Sequence, residues 1–380
     1  MNLINFFNDQ IFKHWKEYFF LIFIYCLFRI PTSFFIVKYS DIVSTLQVIY
    51  AGFGLFQNLF INPEIVNSIV TPSNLAFIFT PGVFYLTNIL NNFTNIIIFS
   101  HLANLIFVIL FYNLVRKTSS KQLSLIFSLI IIYISIKVQF FGPDYLVQPI
   151  MAGALLLFFN KKDVSNTRLV LVGFLCGLIF IFKQNFGIFF LVVIGTGIFF
   201  KCLNNEKKFN FFSNFIILIY YLFGIFFLLK TNFVFNYIYF LFPYFLFWTF
   251  IVYLTNTSLN LDNNKYIRKS IFLLLGFIII PIFTTISLGN VIGYEKYLFS
   301  IFGMGWEYLP FWEYSIIEMI SSLNFRNNNE IFFSLTIIFS VFLPFLTNLL
   351  TTFKIFYLKK NINEFKEHLT VGSIGIISIF

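Results

Sequence analysis

A few ionisable residues lie inside or beside long apolar stretches of this sequence. Arg29 falls within the apolar run 18–37, and Asp41 follows that run as the first carboxylate after Glu17. A carboxylate can serve as a general base, and a guanidinium can bind a phosphate group through charge-assisted hydrogen bonds. Ionisable groups at membrane depth are costly and usually mark function. The pair therefore has the residue types needed to accept a proton and to hold an anion.

Two further positions have similar chemistry at the ends of apolar runs. Lys183 and Gln184 lie on a short turn between two such runs, and Asp144 follows a Gly-Pro pair. Simpler roles stay open for all of these residues. Lys183 can extend its amine to the lipid headgroups, and Asp144 and Asp41 can each cap the helix that follows. Arg29 can bind a helix carbonyl or a carboxylate in a purely structural contact.

The composition predicts an all-α fold, a polytopic transmembrane helical bundle. The chain is 59% hydrophobic and 11% charged, with a mean hydropathy of +0.87. Soluble domains carry about 25% charged residues, and an apolar run of about 18 or more residues can cross a bilayer. We expect about ten or eleven spans in one integral membrane domain over residues 1–380. The predicted helices lie near 18–37, 96–115, 122–139, 145–160, 168–182, 187–202, 211–229, 233–254, 270–288 and 331–353, and a short last run at 370–380 favours a truncated C-terminus.

Basic residues set the predicted orientation. With the N-terminus in the cytoplasm, the helices place 18 of the 25 Lys and Arg residues on the inner side. Cytoplasmic loops of membrane proteins carry this kind of positive excess. The net charge of +10 then follows from topology, and no nucleic-acid partner is needed to explain it. We expect a multi-pass protein of the cell membrane that contacts the lipid bilayer along most of its length.

Polar residues concentrate in two long outer segments. Residues 38–95, predicted to contain interfacial helices, and residues 289–330 hold most of the eight carboxylates predicted on the outer face. The aromatic stretch 293–315, with Trp306 and Glu307, is typical of an interfacial belt. The alternative is a lid that binds sugar or lipid, because carbohydrate faces stack on aromatic rings. We therefore expect the function of the protein on the outer face.

Histidines and cysteines give no metal site by their spacing. His101 is predicted to pack within the second helix beside Asn104, and His14 and His368 fall in inner segments. The three cysteines lie in or beside apolar runs without the spacing of metal ligands. A metal ion, if one is used, would therefore depend on carboxylates.

The order of the features around Asp41 resembles a known family. An acidic residue after the first helix, a long outer loop, and the stretch FIFTPGVFYL at 77–86 are similar to the GT-C superfamily of polyprenyl-phosphate-sugar-dependent membrane glycosyltransferases, such as protein mannosyltransferases and aminoarabinose transferases. Segments 140–159 and 171–195 fit the same order, so the resemblance covers residues 15–200. The sequence departs from the family in having Thr-Pro-Gly where a double proline is usual, and it lacks a paired D-x-D.

The resemblance implies transfer of a sugar from a polyprenyl-phosphate-linked donor to a cell-envelope acceptor (a lipid, a glycan or a protein). It implies Asp41 as the catalytic residue, acting as the base or as the ligand of a divalent metal ion. Such a reaction needs a base for the acceptor proton and positive charge for the departing phosphate. The substrate-binding residues that follow from it are Lys183, Asp144, Arg29, Gln184, Tyr85, Trp306 and Glu307.

A transporter or flippase for a lipid-linked oligosaccharide or another envelope precursor is the alternative function. Such proteins also have many helices and a few charges in a central cavity. The long polar outer segments, and the lack of visible inverted-repeat symmetry, favour the enzyme. A polymerase or ligase of envelope polysaccharide fits less well, because the outer segment 289–330 carries only Lys296 and Arg326 as basic residues.

Overall fold

The computed structural model describes residues 14–36, 93–117, 119–137, 144–159, 164–204, 210–228, 242–257 and 260–298. Almost all of these residues are α-helical, which confirms the all-α class for the described part of the chain. The exception within these ranges is a ladder of two short strands.

Each predicted apolar run that falls in the described ranges is helical. The helices are α1 (Trp15–Ile36), α2 (Phe93–Arg116), α3 (Lys121–Lys137), α4 (Asp144–Phe159), α5 (Asn166–Phe182), α6 (Gln184–Lys201), α7 (Phe211–Leu228), α8 (Phe242–Thr257), α9 (Asn263–Ile292) and α10 (Tyr294–Leu298). The predicted runs at 331–353 and 370–380 lie outside the described residues.

The helix predicted at 270–288 is longer than hydropathy indicates. α9 begins at Asn263 and ends at Ile292, so the prediction missed the polar first turns. Asp262 caps this end of the helix, because its Oδ1 accepts a hydrogen bond from the Lys265 main-chain N–H at 3.0 Å. Polar residues that follow a cap extend a helix without adding apolar character.

Two of the described helices are long and apolar enough to span a membrane, by length and composition. They are Ile98–Arg116 within α2 and Asn263–Ser287 within α9. The expectation of about ten or eleven spans stays a prediction. Exposed apolar side chains run along α9 in a continuous stripe: Ile267, Ile271, Leu274, Leu275, Ile278, Ile279, Ile282, Phe283 and Ile286. A stripe of this extent marks a contact surface for lipid or protein.

The chain divides into two compact units. Within the described ranges, the first unit holds α1 to α3, α4 as far as Leu157, and the segments Leu178–Gln184 and Phe283–Lys296. The second unit includes the described parts of Phe158–Gly177 and Asn185–Ile282. The expectation of one integral membrane domain over the whole chain stays a prediction.

In the first unit, α1, α2 and α3 pack around a shared apolar core. Its fully buried members include Leu21 of α1, Val108 and Tyr112 of α2, and Ile132 of α3. The opposite face of α1 exposes large apolar side chains, among them Phe19, Phe23 and Leu27. α1 is therefore apolar on its buried face and on its exposed face alike.

In the second unit, α5 and α9 cross at glycine residues. A Cβ atom at Gly173 would overlap the Leu273 carbonyl oxygen, and a Cβ atom at Gly276 would overlap the Val170 carbonyl oxygen. Small residues let helices approach this closely in membranes, where close packing replaces the hydrophobic effect as the driving force. The two glycines therefore fix where these helices cross.

One turn along the same crossing, Gly177 of α5 lies against Pro281 of α9. A Cβ atom at Gly177 would lie 2.6 Å from Phe277 O and 3.3 Å from Pro281 Cδ. Pro281 has no N–H to donate to Phe277 O, the carbonyl one turn before it. That carbonyl therefore points into the space that the missing side chain of Gly177 leaves.

A small cluster of hydrogen-bonded polar residues joins helix ends in the second unit. β1 (Leu203–Asn204) pairs antiparallel with β2 (Asn260–Leu261). Asn210 Nδ2 lies 2.9 Å from three acceptors, which are Asn260 Oδ1, Leu261 O and Asn263 Oδ1. Asn210 Oδ1 also accepts from the Phe212 main-chain N–H at 3.0 Å, at the start of α7. One asparagine thus ties the start of α7 to the start of α9.

Replacing Gly276 with alanine is expected to destabilise the protein, because the added Cβ would force α5 and α9 apart. Overpacking of this kind costs about 1–3 kcal/mol. The measurement is the melting temperature of the detergent-solubilised protein. Gly153→Ala is the matched control, since its Cβ would lie 3.8 Å from Leu110 Cδ1, an ordinary contact. A Gly276→Ala variant that melts at the wild-type temperature would contradict the close crossing.

Candidate functional site

The buried face of α1 carries polar side chains among its apolar ones, between Glu17 and Arg29. Tyr18, Tyr25 and Arg29 are buried there together with Leu21. Their spacings of three, four and four residues place them on one face of a helix. This face packs against α2 and α3, so the polar groups lie inside the first unit.

Tyr25 forms a hydrogen bond with His101 of α2. The Tyr25 hydroxyl lies 3.1 Å from His101 Nδ1, and the two rings meet edge to face at 6.1 Å between centroids. Asn104 follows one turn later on α2 and is 4% exposed. The sequence predicted packing for His101 and Asn104, and it missed this polar contact. The sequence signal was helical spacing, which indicates a polar face on each helix. Tyr25 and Arg29 share such a spacing on one apolar run, and His101 and Asn104 share one on the next.

Arg29 is 1% exposed, so its side chain faces the interior of the protein. It interacts electrostatically with His101 of α2, and it lies one helical turn from Tyr25 on α1. An anion in contact with so buried a guanidinium would itself be shielded from water. Charge interactions are several times stronger in such surroundings than at a wet surface.

The start of α1 is held by a second set of polar contacts. The Glu17 carboxylate forms an ion pair with Lys121 at the start of α3. Tyr18 donates a hydrogen bond to Asn113 Oδ1 of α2 at 2.6 Å. The His14 ring packs edge-on against Tyr112 at 6.0 Å. α1 is therefore tied to both of its neighbours at one end and to α2 again near Tyr25.

The ion pair shifts the titration of both partners. The hydrogen bond from Lys121 lowers the pKa of Glu17 below its usual range, and this effect outweighs burial of the carboxyl, which acts in the opposite direction. The same contact raises the pKa of Lys121. Glu17 is 8% exposed, whereas Lys121 is 56% exposed, so water screens the pair from the lysine side.

Lys183 occupies the break between α5 and α6. Its main-chain N–H donates to Ile179 O at 2.7 Å, which closes the last turn of α5. α6 then begins at Gln184, so a single residue separates the two helices. This confirms the short turn expected from the sequence. Lys183 and Gln184 are both half-buried, and both belong to the first unit together with Arg29.

The remaining predicted site residues divide into two groups. Asp144 is the first residue of α4, which begins one residue before the predicted helix 145–160, and its role as a cap stays a prediction. Asp41, Tyr85, Trp306 and Glu307 lie outside the described residues. Their roles, and their closeness to Arg29 or Lys183, stay predictions.

The start of the predicted outer segment 289–330 is a tight elbow. α9 continues through Ile292, and Gly293 then takes a φ of 96°, a backbone conformation that favours glycine. α10 folds back over Gly289, where a Cβ would lie 2.6 Å from Tyr294 Cδ1. Tyr294 donates a hydrogen bond to Asn290 Oδ1 at 2.6 Å. The helix therefore extends four residues into the segment that the sequence predicted as loop.

No group of three or more His, Cys, Asp or Glu side chains in the described ranges is placed to hold a metal ion. The divalent metal that Asp41 would bind stays part of the prediction, because Asp41 lies outside these ranges.

Comparisons with protein-family models, with curated proteins and with solved structures gave no match. The fold and the site alone therefore define the class of protein. The described chain is all-α, has two helices able to span a membrane by length and composition, and buries a polar face of α1 against α2 and α3.

Removing the Glu17 carboxylate is expected to lower stability in a pH-dependent way. Since the folded-state pKa of Glu17 is lowered, its stabilising contribution is complete above the usual glutamate pKa and is lost as pH falls through the folded pKa. The melting temperature of Glu17→Gln should therefore lie below wild type near neutral pH, and the difference should be smaller at an acid pH below the usual glutamate pKa.

Glu295→Gln, at an exposed carboxylate of α10, is the control for removing a negative charge and should show no such pH-dependent difference. If Glu17→Gln lowered the melting temperature by the same amount at both pH values, the ion pair would not contribute to stability through its charge.

Proposed function

We propose that the chain is a multi-pass membrane protein. This proposal is supported by its mean hydropathy of +0.87, by the two helices able to span a bilayer, and by the exposed apolar stripe of α9. It is also supported by the predicted excess of basic residues on one side. A side chain such as Phe19, exposed on the far side of α1 from the core, would then contact lipid.

Within that class, we propose a glycosyltransferase that uses a polyprenyl-phosphate-linked sugar at the outer face of the bilayer. One observation carries the proposal: the side chain of Arg29 on α1 is buried, and Arg29 comes twelve residues before Asp41 in the sequence. A cation kept out of water and a carboxylate would supply the two charges that sugar transfer from a lipid phosphate requires. The order of the outer segments supports the same reaction by its resemblance to the GT-C superfamily.

The reaction is a direct displacement at the anomeric carbon. Asp41 accepts the proton of the acceptor hydroxyl or amine as that atom attacks the anomeric carbon. The bond from this carbon to the phosphate oxygen breaks, and the polyprenyl phosphate leaves with the bonding electron pair. Lys183 and Arg29 bind the phosphate as its negative charge grows, and the anomeric configuration inverts in one step.

The other predicted residues bind the substrates. Asp144 and Gln184 are the first residues of α4 and α6, and we assign them to the polar groups of the donor. Tyr85, Trp306 and Glu307 are assigned to the sugar and the acceptor, where aromatic rings stack and a carboxylate accepts hydrogen bonds from hydroxyl groups.

The second candidate is a transporter or flippase of a lipid-linked envelope precursor. The buried polar groups of the first unit favour it, because ionisable residues inside membrane helices also line transport pathways. The two candidates differ in chemistry: an enzyme breaks the bond between sugar and phosphate, whereas a transporter leaves its substrate intact.

Asp41→Asn is expected to abolish sugar transfer, because asparagine keeps the shape of the side chain but cannot accept the proton. Loss of a general base lowers the rate about 10²–10⁴-fold. The measurement is transfer of radiolabelled sugar from polyprenyl phosphate in membranes that contain equal amounts of each variant. Glu64→Gln removes another carboxylate of the outer segment 38–95 and is the control, with wild-type transfer expected. Transfer by Asp41→Asn at the wild-type rate would remove Asp41 from the mechanism.

A further inference from the structure

We propose that Tyr25 and His101 are positioning residues that hold the Arg29 guanidinium between α1 and α2, where it binds the phosphate of the lipid-linked donor. The proposal rests on the proposed function, because the phosphate role of Arg29 does. It adds two residues that neither the sequence nor the resemblance identified as functional.

The need for positioning arises from the apolar character of α1. Its exposed face, with Phe19, Phe23 and Leu27, is as apolar as much of its buried face. Lipid solvates both faces equally well, so the hydrophobic effect does not determine which side of α1 faces inward. Polar contacts with the neighbouring helices therefore determine this orientation.

The polar contact nearest to Arg29 is the hydrogen bond between Tyr25 and His101. Tyr25 is one helical turn from Arg29 on the same face, and both side chains are 1% exposed. The 3.1 Å contact from the Tyr25 hydroxyl to His101 Nδ1 holds α1 against α2 at this level. This contact therefore opposes separation of the two helices one turn from Arg29.

The physical role of this contact is to limit the freedom of a long side chain. Fixing a long arginine side chain costs rotamer entropy, so a site that holds it in advance binds phosphate more tightly. If α1 separated from α2 near Tyr25, the guanidinium would extend toward water or headgroups, as arginines near a membrane surface do. Tyr25 and His101 act through Arg29 and do not contact the phosphate.

The test measures binding of polyprenyl monophosphate to the full-length protein in phosphatidylcholine nanodiscs, with uncharged polyprenol as the control for the lipid tail. Tyr25→Phe, which removes only the hydroxyl, and His101→Leu should each weaken phosphate binding about three- to tenfold, the effect of one hydrogen bond. His101→Asn, which keeps a hydrogen-bonding side chain, should restore most of the affinity. Polyprenol binding should not change.

Tyr18→Phe is the matched control for the hydroxyl. It removes the hydrogen bond of a buried α1 tyrosine to Asn113 of α2, three turns away from Arg29. We expect Tyr18→Phe to lower the melting temperature about as much as Tyr25→Phe while leaving phosphate affinity unchanged. Equal loss of affinity in both variants would show a general effect on stability and would overturn the proposal.

The second control removes the cation itself. In an Arg29→Gln background, Tyr25→Phe should cause no further loss, because its effect passes through Arg29. An equal further loss would overturn the positioning role. Wild-type phosphate affinity in Arg29→Gln would overturn it as well, while leaving the transferase proposal standing on Asp41 and Lys183. If the wild-type protein bound polyprenol as tightly as polyprenyl phosphate, that result would instead contradict the proposed function.

Discussion

The polar face of α1 is the constraint on which the first unit depends. Each polar group that an apolar bundle buries must find a partner inside the bundle, because lipid offers none. Glu17, Tyr18 and Tyr25 each meet a group on α2 or α3. These contacts decide which side of an otherwise uniformly apolar helix faces inward. The buried position of Arg29 follows from that choice.

The second unit uses a different means to the same end. Where α5 and α9 cross, close contact of the main chains takes the place of polar pairing. Gly173 and Gly276 let α5 and α9 cross with their main chains in contact. At the ends of the helices, Asn210 gathers three acceptors and so fixes the starts of α7 and α9. Packing specificity at this crossing therefore comes from the absence of side chains, and Asn210 adds polar contacts at the helix ends.

Much of the described fold could be predicted from apolar runs, because hydropathy and length define a membrane helix almost completely. The break at Lys183 was visible as a single interruption between two runs, and the structure places one residue there. The polar start of α9 was not visible, since Asn263 and Lys265 add no apolar signal. The pairing of Tyr25 with His101 was not visible either, although helical spacing indicates a polar face on each of the two helices. Its partners are 76 residues apart, and a single sequence does not show which helices are neighbours.

The transfer of sugar, as opposed to the movement of an intact lipid, is the central claim. The most direct test adds a polyprenyl monophosphate hexose, radiolabelled in the sugar, to right-side-out membrane vesicles. The vesicles contain the protein together with cell-envelope material that supplies the acceptor. The account predicts that the label leaves the lipid, appears in an acceptor and releases polyprenyl phosphate on the outer side. Appearance of the intact donor on the inner leaflet, with its sugar–phosphate bond unbroken and no labelled acceptor, would contradict it.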